Sequence, residues 1–290
     1  MSKPILSGLM AVLVLAGCGL THVQKDAISQ FSQTSSAFGK NVSTQLTDAR
    51  NTVIEARKRI LILNPTKLTE RDNIDGALTP TNLSVRVRAA EALQAYGDLL
   101  QAIVNDTQQQ ELADASNTFT ISLRSLDPQN KTISDDQLTA IGDLVQGIGG
   151  ILVEYKKMKA LKKLIPATQA QVAEIAELFK KEFKSDGPFA VYVNGQGLLL
   201  VTAMDPLLDH PQGSVADRTM VAESFQQGIE IKRKSDSIYP QIATAADTLV
   251  TSHQSLVNAL EHETFEMKDL TAFSKTVQDI LAKTKILAHK

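Results

Sequence analysis

Residues 28–60 read ISQFSQTSSAFGKNVSTQLTDARNTVIEARKRI, and this stretch decides the fold. Ile28, Phe31, Ser35, Phe38, Val42, Leu46, Ala49, Val53, Ala56 and Ile60 recur at intervals of three and four residues. That spacing lines them along one stripe of an α-helix, with a single stutter between Val42 and Leu46. Gln, Ser, Thr, Asp, Lys and Arg fill the other faces. A helix of about 35 residues would be roughly 50 Å long, beyond the usual globular range, and argues for an elongated bundle.

Working outward, residues 63–82 carry Pro65, Gly76 and Pro80 and read as a long loop. A second helix is expected from about Leu83 to Asn105, and a third from Gln108 to Leu126. Ser134–Gln137 and Thr168–Gln171 both match the capping-box pattern, in which the first hydroxyl and the fourth side chain satisfy each other's backbone N–H. They predict helices through Leu138–Leu164 and Val172–Phe183. The final third repeats the first: Val221, Phe225, Gly228, Lys232, Ser235, Tyr239, Ile242, Ala246, Leu249, His253, Leu256 and Leu260 keep helical spacing, with a kink expected at Pro240. A last helix follows from about Phe265.

Residues 184–213 admit two readings. Phe189–Val193, the Asn194-Gly195 pair and Leu198–Thr202 carry a β-hairpin signal near 189–202. Yet no other strand candidate exists for a hairpin to join, so helix is preferred, with a loop at Asp205–Ser214. The expected fold is therefore all-α: an elongated antiparallel helical bundle with long N- and C-terminal helices, forming one domain over 28–290.

The N-terminus reads MSKPILSGLMAVLVLAGC. Lys3 gives a short positive region and Ile5–Ala16 a 12-residue apolar run, too short to span a bilayer comfortably. The stretch Leu15-Ala16-Gly17-Cys18 resembles the lipobox of bacterial lipoprotein precursors. The resemblance implies that residues 1–17 are a signal peptide, with Leu15, Ala16 and Gly17 recognised by the signal peptidase. It further implies a thioether-linked diacylglycerol and an N-acyl chain on Cys18, and no other cofactor. Two or three acyl chains hold a protein on a membrane where one does not. By the same resemblance, Gly19 rather than Asp after the cysteine points to the outer membrane, facing the periplasm. Residues 18–27 are read as a short tether.

Composition narrows the partners. Charged residues are 21% and aromatics 4%, with no Trp. Scarce rings argue against sites that stack sugars. The formal charge is −2, and loss of residues 1–17 removes Lys3 and no acid, leaving −3, which argues against nucleic acid. Cys18 is the single cysteine, so no intrachain disulfide can form.

Candidate chemistry is thin. Glu261-His262-Glu263-Thr264-Phe265-Glu266 approaches the His-Glu-x-x-His pattern of zinc proteases but places Glu266 where the second imidazole belongs. Asp205, Asp209 and His210 could gather round a metal, although many surface loops share that arrangement. His253, on an apolar stripe, reads as a core histidine satisfied by a neighbour. Gly142, Gly147, Gly149 and Gly150 interrupt a strong helical pattern, which suggests close approach of another helix. Lys156, Lys157, Lys159, Lys162 and Lys163 form a basic cluster, read as a solvated face with phospholipid headgroups as the alternative. The expected role is a non-catalytic binding or scaffolding protein of the envelope, held on the membrane by lipid and contacting envelope proteins. A carrier for an apolar ligand is the second reading, and an enzyme the third.

Overall fold

The computed structural model describes residues 19–63, 74–105, 109–126, 139, 142–143, 154–209, 213–261 and 267–288. Within them the chain is helical, with α1 His22–Leu63, α2 Pro80–Val104, α3 Gln109–Leu126, α4 Glu154–Ala167, α5 Gln169–Phe183, α6 Pro188–Asp209, α7 Val215–Ser237, α8 Tyr239–Glu261 and α9 Lys268–Ala288. No strand occurs among these residues.

The 42 residues of α1 form a spine about 63 Å long. Its predicted stripe faces inward: Ile28, Phe31, Ser35, Phe38, Val42, Leu46, Val53 and Ala56 are fully buried. The other helices pair along it by position. α2 runs antiparallel, with Ser32 on Gln101 and Ser36 on Asp98. At the far end of this pairing Arg50 holds Asp75 through two bonds of 3.0 Å.

α7 and α8 run end to end, antiparallel to α1. Arg59 donates to Ser224 at one end, and Gln24 donates to the Ala259 carbonyl at the other. The junction lies where Pro240 was expected to kink one long helix. Ile238 keeps helical dihedrals and bonds to Lys234, Ile242 bonds back to Ile238, and Pro240 supplies no N–H. α5 and α6 form a second end-to-end pair, broken by Lys184–Gly187. α9 lies beside α1 and α8 and sets Phe273 against Phe31 and Phe38.

Most of the few aromatic residues are spent on the interior. Rings of Phe119, Tyr96, Phe31, Phe273, Phe38, Phe179, Phe183 and Tyr239 touch in succession at centroid separations of 5.3–6.3 Å. They form a continuous seam joining the two halves of the bundle.

Glycines set the two tightest crossings. A Cβ on Gly39 would lie 2.5 Å from the Ala90 carbonyl, and one on Gly97 would lie 2.4 Å from that of Ser32. α1 and α2 therefore touch backbone to backbone. Gly197 of α6 and Gly228 of α7 repeat the device, each Cβ position lying under 3 Å from the other's carbonyl.

Residues 189–202 form helix α6, the preferred reading, and not the alternative hairpin, because Val193, Gln196, Gly197, Leu200 and Met204 bury a helical stripe against α1 and α7. Several other expectations are corrected. Helix α6 continues through Pro206 to Asp209, so the predicted loop begins later. α2 starts at Pro80, three residues early, with the Thr79 hydroxyl capping it. The Thr168 capping box does not form, since that hydroxyl is drawn into a buried network instead. Among the described residues no heavy atom lies within 4 Å of the Gly142 Cβ position. Gly147, Gly149, Gly150 and the Ser134 box lie outside the described residues.

Candidate functional site

The end of the bundle next to Cys18 is the most constructed surface feature. Cys18 and the recognition residues Leu15, Ala16 and Gly17 lie outside the described residues, which begin at Gly19. Leu20 is buried. Thr21 and Gln24 form a reciprocal capping box: the Gln24 N–H donates to Thr21 Oγ1 at 3.2 Å, and the Thr21 N–H to Gln24 Oε1 at 3.0 Å. The Gln24 amide then reaches across to the Ala259 carbonyl of α8 at 2.8 Å. Helix α1 thus begins at His22, six residues before the expected start. Among the described residues only Gly19–Thr21, at most about 11 Å of chain, therefore precede the helix within the stretch expected to be non-helical.

Helix α4 docks beside this start. The Cβ position of Gly19 is 3.2 Å from Glu154, and Lys25 of α1 pairs with the Glu154 carboxylate at 2.9 Å. Lys157, fully buried, approaches the same carboxylate at 3.4 Å. Burial alone would raise the Glu154 carboxyl; the hydrogen bond from Lys25 and the Lys157 charge outweigh it and hold it below the ordinary carboxylate range.

Along the same end, α1 and α9 leave a cleft of about 570 Å³. Asp26, Gln30, Gln33 and Gln278 line it, with Ala37, Met267, Val277 and Leu281 as its apolar part.

Deeper in, Tyr96, Thr168 and His253 meet where α2, α5 and α8 cross. The Thr168 hydroxyl is 2.9 Å from Tyr96 Oη, which lies 2.9 Å from His253 Nε2. Thr168 also contacts the Leu164 and Ile165 carbonyls. Burial pushes the His253 imidazole down to about 4, so it is neutral at pH 7. Burial likewise raises the Tyr96 hydroxyl, and the Thr168 hydrogen bond only partly opposes it. Each of the three is about 1% exposed, which closes the cluster to a substrate. It pins three helices together, and His253 is a core histidine partnered at Nε2 by Tyr96, while its buried Nδ1 has no hydrogen-bond partner among the described residues.

The remaining candidates do not converge. Asp205 and Asp209 sit on the exposed last turn of α6, and His210 lies outside the described residues. Among the described residues no three His, Cys, Asp or Glu side chains gather to hold a metal ion. Glu261 ends α8, while residues 262–266 lie outside the description. The interior Ser35 and Ser235 are buried packing residues, Ser235 donating to the Ala190 carbonyl. No described helix is long and apolar enough to cross a membrane.

The clamp was legible but missed: Thr21-His22-Val23-Gln24 is the same Thr-x-x-Gln pattern noted at Thr168. The glycines at 39, 97, 197 and 228 gave the same signal as those at 142–150. No family model matches the chain, and neither any curated protein nor any solved structure matches it.

Proposed function

We propose that the chain is a lipid-anchored envelope protein, carried on Cys18 in the outer membrane and facing the periplasm. Its helical body works there by binding or scaffolding other envelope components rather than by catalysis. The observation that carries this reading is the clamp at Gly19–Gln24. A lipid on Cys18 would be joined to a rigid spine through three residues, so the bundle would be held at a fixed place against its membrane. A body about 63 Å long then offers extended helix faces to neighbours.

The α1/α9 cleft lends the apolar-carrier reading little support. Carboxylate and amide groups on its walls would lose water to an apolar ligand without gaining partners.

Native gels of membranes solubilised in mild detergent test the proposal. The wild-type chain is expected in a defined assembly well above its 31.5 kDa precursor mass. Its Cys18→Ser counterpart, folded but not acylated, should leave that assembly. A wild-type chain that migrates alone under the same conditions contradicts the scaffolding role.

A further inference from the structure

We propose that the exposed face of α4 is an electrostatic foot that rests on anionic phospholipid headgroups beside the lipid anchor. The inference builds on the Cys18 anchor reading and adds a second, chemically distinct membrane contact.

Helix geometry sorts the lysine cluster into two parts. At about 100° per residue, Tyr155, Lys156, Lys159, Lys162 and Lys163 share an arc roughly 120° wide. All five are exposed. Lys157, Ala160, Leu161, Leu164 and Ile165 occupy the opposite side and are buried. The fifth lysine of the sequence cluster therefore belongs to the Glu154 contact and not to the face. None of the four exposed lysines pairs with a carboxylate among the described residues.

Three observations select a lipid surface as the occupant. First, this positive face belongs to a chain whose formal charge is negative, so it is local and not part of a general basic coat. Second, it lies at the anchored end: Glu154, which opens α4, touches both Gly19 and Lys25. Lys163 is nine residues further, so the whole face falls within about 15 Å of that point. The potential of an anionic membrane surface decays over about 8–10 Å in physiological salt, a comparable reach. Third, Tyr155 is 50% exposed and is the one exposed aromatic among the described residues. Tyrosine favours the headgroup zone, where its ring and hydroxyl face different media.

The physical role would be orientation. Acyl chains on Cys18 fix where the bundle is held but leave it free to swing, and a lysine face beside them would select one tilt. Each lysine brought to an anionic surface strengthens binding about fivefold.

The test uses mature, acylated protein incorporated into vesicles of phosphatidylcholine alone or with 30% phosphatidylglycerol. Amine-reactive labelling is then read lysine by lysine by mass spectrometry. Lys156, Lys159, Lys162 and Lys163 are expected to label at least fivefold more slowly on the anionic vesicles, and high salt should erase the difference. Lys58 and Lys232, at the other half of the bundle, should label equally on both. Replacing the four lysines with glutamine should leave incorporation intact and remove the charge-dependent protection of Tyr155 from iodination. Incorporation into both vesicles with equal lysine labelling would overturn the foot and spare the anchor. Failure to float with neutral vesicles would overturn the anchor and the foot together.

Discussion

The α1/α2 contact makes a prediction whose sign runs against local propensity. Replacing a mid-helix glycine with alanine ordinarily stabilises by up to about 1 kcal/mol, because alanine loses less backbone freedom on folding. At Gly97 the new Cβ would sit 2.4 Å from the Ser32 carbonyl and 2.6 Å from the Ser36 nitrogen. Ordinary carbon contacts begin near 3.4 Å, so α1 and α2 would have to separate by about 1 Å along a seam of buried side chains. Overpacking of this kind costs about 1–3 kcal/mol, and the neighbours here are backbone atoms that cannot rotate away. Gly97→Ala is therefore expected to destabilise by about 1–2 kcal/mol net, lowering the melting temperature by roughly 2–6 °C for a chain of this size. Gly195→Ala in α6 is the matched control: its Cβ position has nothing within 4 Å, so it should stabilise by up to about 1 kcal/mol. Thermal melts followed by far-ultraviolet circular dichroism on the Cys18→Ser background would compare the two. A Gly97→Ala protein melting at or above the parent would refute the backbone-to-backbone crossing.

Other residues give independent checks. His253 is held near pKa 4 by burial and titrates near 6.5 when unfolded, so its contribution is complete above pH 6.5 and is lost as pH falls toward 4. Urea titrations should show this as about 2 kcal/mol at pH 5, and His253→Phe should abolish that slope. Glu182→Ala would strand Arg86, its partner at 2.9 Å, and is expected to cost about 2 kcal/mol by chemical denaturation. Gln24→Ala removes the Oε1 acceptor for the Thr21 N–H and the bond to Ala259 while leaving the Thr21 hydroxyl cap in place; hydrogen exchange at residues 22–26 should accelerate while the amides of α5 stay protected.

How much of this was readable beforehand depends on whether the deciding contact was local. The α1 stripe was legible because burial on one helix face writes itself as a three-and-four repeat, and Pro240 announced its own break. Residues 189–202 admitted a hairpin as the alternative to the preferred helix because Asn194-Gly195 is a genuine local turn signal. Gly197 overrides it by seating α6 on Gly228, a partner 31 residues away that no local pattern reveals. Thr168 misled for a related reason: its hydroxyl had a better partner in Tyr96, 72 residues distant, than in its own helix start. The lysine cluster was visible as composition. That Lys157 turns inward while its four neighbours turn outward beside Gly19 is a tertiary fact.

The anchor is the premise on which position, partners and the lysine foot depend, and it is open to one direct measurement. Intact-mass analysis of the protein extracted from membranes should find a chain beginning at Cys18, heavier than residues 18–290 by a diacylglycerol and an acyl group. Cys18→Ser should retain residues 1–17 and carry no lipid. A wild-type chain with a free thiol at Cys18, or one cut at any other bond, would contradict the account.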